Sequence, residues 1–168
     1  MFAFDIFGLL YYFAFASLLI VIFVYDLKHK LIPDFATFGI LILGLVRFAP
    51  IFYKLQATSY KLIAVDFLAT FVAFVFFGSL WYFSGGRAMG FGDVKLAPAL
   101  VLFLGASKGV LAMFLSFWIG AIVGIVLMLG KKAGWKSEIP FGPFLALGAF
   151  VALLWGEQLI EIYLNLMS

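Results

Sequence analysis

The chain has 168 residues, of which 67% are hydrophobic and 11% charged, whereas about a quarter of a soluble domain is charged. A domain of this size leaves a large fraction of its surface outside, and this composition has too few polar side chains to cover it, so a water-soluble fold is excluded. Eleven Lys and Arg against eight Asp and Glu are too thinly spread for a nucleic-acid surface, and with no cysteine and a single histidine, His29, there is no disulfide framework, thiol nucleophile or thiolate metal site.

The apolar runs are continuous and do not alternate, which selects transmembrane helices over a barrel. An all-α, polytopic bundle of about six transmembrane helices is expected, and no repeat or linker divides 1–168 into more than one membrane domain. The first run begins almost at Met1, has no basic segment before it and contains Asp5, so it reads as a permanent span and not as a cleaved signal peptide. Residues 6–25 carry no charge and end on the polar cluster Asp26, Lys28, His29 and Lys30. His29 reads as a solvated loop residue. A second span is predicted from Phe35 to Pro50, opened by Pro33 and the capping residue Asp34. Arg47 lies near enough to its end to snorkel toward the headgroups.

Beyond the polar stretch from Lys54 to Lys61, a third span covers Leu62 to Phe83, with Asp66 near its start and expected to pair with Lys61 or water. Ser84 to Asp93 reads as a loop, with glycines at 85, 86, 90 and 92. A fourth span, Val94 to Gly105, is too short to cross the hydrocarbon unaided, which is tolerable where protein or water surrounds its polar end. A fifth runs from Gly109 to Gly130, where the spacing of Gly120 and Gly124 fits a close helix contact. A sixth runs from Phe141 into the C-terminal tail. Trp81, Tyr82 and Trp135 fall near span ends, where interfacial aromatics are expected.

Basic residues orient such a bundle. Lys28, Lys30, Arg87, Lys95, Lys131, Lys132 and Lys136 fall on one side, and Arg47, Lys54, Lys61 and Lys108 on the other. Seven against four places the first group in the cytoplasm and both termini outside. Asp26 and Asp93 then share the cytoplasmic face.

Ionisable residues beside apolar spans are costly and tend to be functional. Taken singly, Asp26 has a plain explanation as an interfacial carboxylate paired with Lys28 or Lys30, and Asp93, after Gly90-Phe91-Gly92, as a helix N-cap. Taken together they suggest hydrolysis, because water attack on a peptide needs one carboxylate to accept a proton and one carboxylic acid to donate one. Two neighbouring aspartates supply both, since like charges at close range disfavour double ionisation. The glycines would let a backbone or an extended substrate approach closely and let Asp93 be aimed into the bundle.

The run GRAMGFGDVKLAPAL, Gly86 to Leu100, resembles the signature of the type IV prepilin peptidases and their archaeal preflagellin relatives. YDLKHKLIPD, Tyr25 to Asp34, resembles the family's other aspartate motif, and EIPFGPFLALG, Glu138 to Gly148, its C-terminal segment. The resemblance implies that Asp26 and Asp93 are the two catalytic aspartates, with Gly90, Gly92, Lys95, Pro33 and Asp34 as supporting motif residues. It implies no metal or cofactor, and a prepilin or pilin-like precursor as substrate. The short basic leader of that precursor would be cut after a glycine at the cytoplasmic border of a prokaryotic inner membrane, with lipid as the surrounding partner.

Asp34 is the rival of Asp26, but it follows Pro33 at a helix start, where capping accounts for it. Lys95 could steady the aspartates or meet headgroups, with snorkelling as the simpler account. Glu138 could neutralise the basic leader, with pairing to Lys136 as the simpler one. Many bacterial members of the family carry an N-terminal four-cysteine zinc domain and methylate the new N-terminal amine. In a chain without cysteine neither is expected, so it reads as a peptidase core or as part of a longer enzyme. Competing readings are a presenilin-like protease cutting within a helix, a proton-coupled transporter or channel subunit using the aspartates as relays, and an inactive scaffold of a pilus or secretion assembly.

Overall fold

A computed structural model of the chain describes residues 6–48, 57–87, 89–130 and 139–167. Asp5, Pro50, Lys54, Lys131, Lys132, Trp135, Lys136 and Glu138, on which the sequence reading draws, lie outside the described residues. Six helices follow in order: α1 Ile6–His29, α2 Asp34–Val46, α3 Ala57–Ser84, α4 Phe91–Leu104, α5 Ala106–Leu129 and α6 Gly142–Met167. No strand occurs among the described residues.

Four helices, α1, α3 from Lys61 onward, α5 and α6, are long and apolar enough to cross a membrane. Their outer faces expose large apolar side chains such as Phe7, Leu68, Phe71, Val126 and Leu129. In water this surface would be strongly unfavourable, and in lipid it is matched. The chain is therefore an all-α polytopic membrane protein.

The remaining two helices differ from the six-span expectation. α2 has 13 residues and α4 has 14, lengths of about 20 Å at 1.5 Å per residue, short of a hydrocarbon layer of about 30 Å. α2 ends at Val46, with Arg47 still in a helical conformation as its C-cap. α4 is apolar because it is the core: ten of its 14 residues are buried, and it packs on α2, α3, α5 and α6. From α1, Phe15 stacks on Phe103 of α4 with ring centroids 3.7 Å apart, and Tyr11 stacks on the same ring at 5.1 Å. α4 is thus enclosed by all five other helices.

Arg47 and Asp66 meet each other, so neither takes the partner that the sequence suggests. Arg47 Nη1 donates to Asp66 Oδ2 at 2.9 Å, and Asp66 Oδ1 accepts the Ala106 N–H at 2.7 Å, while Lys61 stays exposed. A carboxylate set into an apolar helix has little water to solvate it, so it recruits a cation and a backbone donor. The recruitment ties α2, α3 and the start of α5 together at one end of the bundle. Gly105, at φ +82, makes the turn in a left-handed region that favours glycine, and an added Cβ there would sit 2.7 Å from Arg47 Nη2.

The α5–α6 contact is only partly the one that glycine spacing suggests. Gly120 backs onto Phe144, but a Cβ on Gly124 would meet nothing within 4 Å. A tighter approach lies at Gly148, where an added Cβ would collide with the Ala112 carbonyl oxygen and Ser116 Oγ. Gly148→Ala is expected to lower stability by about 1–3 kcal/mol through overpacking, read as a drop in Tm of the purified protein in detergent.

Candidate active site

α1 continues past the apolar run to His29, so Asp26 lies within its last turns and not beyond it. The helix closes on Lys30, in a left-handed conformation at φ 53, whose N–H donates to the Asp26 carbonyl at 2.8 Å. The Asp26 side chain turns away from solvent and is buried, the residue being 4% exposed. Its carboxylate lies against the first residue of α6, where a Cβ on Gly142 would stand 2.5 Å from Asp26 Oδ2 and 3.0 Å from Cγ.

Asp93 is also 4% exposed. It does not occupy the N-cap that the sequence suggests; Gly90 does, and Asp93 sits three positions into the helix. From there Oδ2 accepts the Gly90 N–H at 3.0 Å, the reach-back of a capping box. Oδ1 is buried with no hydrogen-bond partner among the described residues. One carboxylate therefore serves the fold with one oxygen and leaves the other available for chemistry.

Both aspartates line one cavity of about 1270 Å³ at a single end of the bundle. Pro33, Asp34, Gly90, Gly92 and Lys95 line it too, so the structure gathers the seven residues that the resemblance assigns to the site. Asp34 and Lys95 form an ion pair with each other, and Lys95 Nζ lies 5.5 Å from the Phe91 ring. Asp34 makes no capping bond, and Lys95 neither snorkels free nor reaches the buried aspartates. The Asp34 side chain is 62% exposed, and this separates it from Asp26: it is a solvated carboxylate held at the rim by a lysine.

The glycines divide in the same way. Gly92 is required by packing, since its Cβ would stand 2.9 Å from Ile32 Cβ. Gly90 has an ordinary φ of −73, and its Cβ would come no nearer than 3.6 Å to Asp93 Oδ2, so neither conformation nor packing demands glycine there. Two residues at the site are missed by sequence reasoning. Gly142 lies in the Glu138–Gly148 stretch, which offers a resemblance but no role, and Ile32 is one apolar residue among many.

Asp93 lies in the first turn of α4, outside the four long spans. Burial, and after it the negative charge of Asp26, push its pKa from the ordinary 3.8 up to about 7. A carboxyl group raised in this way favours the fold most when protonated. Its contribution is fully present below pH 3.8 and is lost as pH rises through about 7. Asp93→Asn keeps an oxygen for the Gly90 N–H and removes the buried charge. The variant is expected to melt above wild type at pH 8 and level with it near pH 4, measured by thermal unfolding across pH.

Two buried carboxyls sharing a cavity have the chemistry to act as base and acid toward one water molecule. A profile of the type IV leader peptidase family matches residues 13–125, a stretch that holds both buried aspartates, Asp34 and Lys95. The chain belongs to the type IV leader peptidase family. Among the chain's relatives are proteins named prepilin leader peptidase/N-methyltransferase. The one from Xanthomonas campestris pv. campestris is 35% identical over 141 residues, 83% of this chain and 48% of that protein. That from Stutzerimonas stutzeri is 35% identical over 141 residues, 83% of this chain and 47% of its own. That from Pseudomonas aeruginosa is 34% identical over 147 residues, again 83% and 47%. The chain spans about half the length of the curated relatives it matches. No solved structure matches it.

Proposed function

We propose that this chain is a membrane aspartyl endopeptidase that removes the leader of type IV prepilins or pilin-like precursors, with Asp26 and Asp93 activating water. The observation that carries this reading is the burial of both carboxylates against one cavity in a chain of the leader peptidase family. The ionised member of the pair takes a proton from water as its oxygen attacks the scissile carbonyl carbon. The protonated member gives its proton to the carbonyl oxygen. As the C–N bond breaks, the carboxyl that took the water proton gives it to the leaving amine, and a hydroxyl of the tetrahedral intermediate passes its proton to the other carboxylate as the carbonyl re-forms, which restores the shared proton.

The site faces the cytoplasm in this reading. Lys30, Arg87 and Lys95 line the aspartate cavity, and a basic excess on that side supports a cytoplasmic placement. The scissile bond then lies where the precursor's apolar helix leaves the membrane, after a glycine, with the basic leader in water. We assign proteolysis alone to the residues of this single membrane domain. The test is incubation of the purified chain in detergent with a prepilin carrying its intact leader, the products being identified by mass. Cleavage at the glycine junction is expected, and failure to cut any pilin-like precursor overturns the assignment.

A further inference from the structure

Ile32 sits in the short connection between α1 and α2, half-buried, and lines the cavity that Asp26 and Asp93 share. Its side chain rests on two glycines that belong to the surroundings of the two aspartates. A Cβ on Gly92, the residue next to Asp93, would stand 2.9 Å from Ile32 Cβ and 3.2 Å from Cγ1. A Cβ on Gly142, against which the Asp26 carboxylate lies, would stand 3.1 Å from Ile32 Cδ1. Ile32 therefore spans the interval between the backbone beside one carboxylate and the backbone beside the other. The contacts on Gly92 and Gly142 are backbone contacts, a β-branched side chain is stiff at χ1, and Pro33 follows directly and restricts the Ile32 backbone. The face of Ile32 left toward the cavity is consequently a rigid apolar wall. It stands beside the place that a scissile carbonyl must take to be within reach of both carboxyls.

We infer that Ile32 is a specificity-determining residue, the wall that limits the size of the substrate side chain next to the scissile bond. The inference rests on the peptidase reading above. A residue without a Cβ fits between the carboxyl pair and the Ile32 wall, and a methyl group at that position presses against the wall.

The experiment uses the full chain in detergent and two prepilins that differ only in having Gly or Ala before the scissile bond. Wild type, Ile32→Val and Ile32→Ala are compared by the ratio of kcat/KM for the Ala precursor to that for the Gly precursor. A methyl-sized change in an apolar pocket discriminates by about tenfold or more, so the ratio is expected to rise about tenfold in Ile32→Ala and by less in Ile32→Val. A role in packing alone would slow both precursors equally and leave the ratio where it was. An unchanged ratio in both variants, with the Gly precursor still cut, overturns the role of Ile32 and leaves the peptidase reading standing. Absence of cleavage by wild type overturns both. Should Ile32→Ala fail to fold, the ratio in Ile32→Val decides, and equality with wild type overturns the inference.

Discussion

Asp26→Asn and Asp93→Asn are each expected to lower kcat/KM for leader cleavage by about a thousandfold or more, the scale of losing acid–base catalysis. Asparagine preserves shape at both sites, and at position 93 it still offers an oxygen to the Gly90 N–H that Asp93 Oδ2 accepts at 3.0 Å. What it cannot do is take up and return a proton at the working pH. In the proposed mechanism the two carboxyls act as one device, so the double variant should be little worse than either single one. Asp34→Asn provides the contrast. Its carboxylate is exposed and held by Lys95, so activity should stay within about tenfold of wild type, the loss of one exposed ion pair being small. Single-turnover cleavage of a prepilin by wild type and the four variants measures all of this. Full activity in either buried-aspartate variant would sink the assignment, and a dead Asp34 variant beside a live Asp26 variant would transfer the role to Asp34.

Gly142→Ala should cut activity by about a hundredfold while leaving the fold nearly intact, since a misplacement of about 1 Å at a reacting group has that effect. The new methyl would stand 2.5 Å from Asp26 Oδ2 and 3.0 Å from Cγ, closer than real contacts allow, and the carboxylate is the mobile partner. Alanine is a better helix former than glycine at the start of α6, so the helix itself gains. Gly90→Ala is the matched control, because its Cβ would find ordinary contact distances. Circular dichroism and Tm alongside the cleavage rate separate a displaced carboxylate from a damaged bundle.

The long spans α1, α3, α5 and α6 were legible because nothing but lipid tolerates such uninterrupted apolar runs. α4 was legible as too short to cross the bilayer unaided, but not as the enclosed centre of the bundle, since an apolar helix reads alike whether lipid or protein surrounds it. The pairing of Arg47 with Asp66 was not legible, hidden by the nearer cation Lys61. Asp26 and Asp93 stood out as charges beside apolar runs, and their convergence on one cavity follows from the end of the bundle each one marks. The supports of the site were not legible. Ile32, Gly92 and Gly142 lie far apart in sequence, and their relation exists only where three backbone segments meet. That Gly92 allows a close approach was legible, but not that the approaching group is the side chain of Ile32.

The enclosure of α4 bears on how such a chain is made. With 14 residues, and a length of about 21 Å, α4 offers no segment that could be handed to the bilayer alone, and a solitary α4 would carry a buried-type carboxyl into lipid without its neighbours. It enters in the company of helices that arrive before and after it in synthesis. Asp93 consequently comes to line one cavity with Asp26 only when the bundle closes, and a nascent chain with its long helices inserted but not yet gathered holds the two aspartates apart.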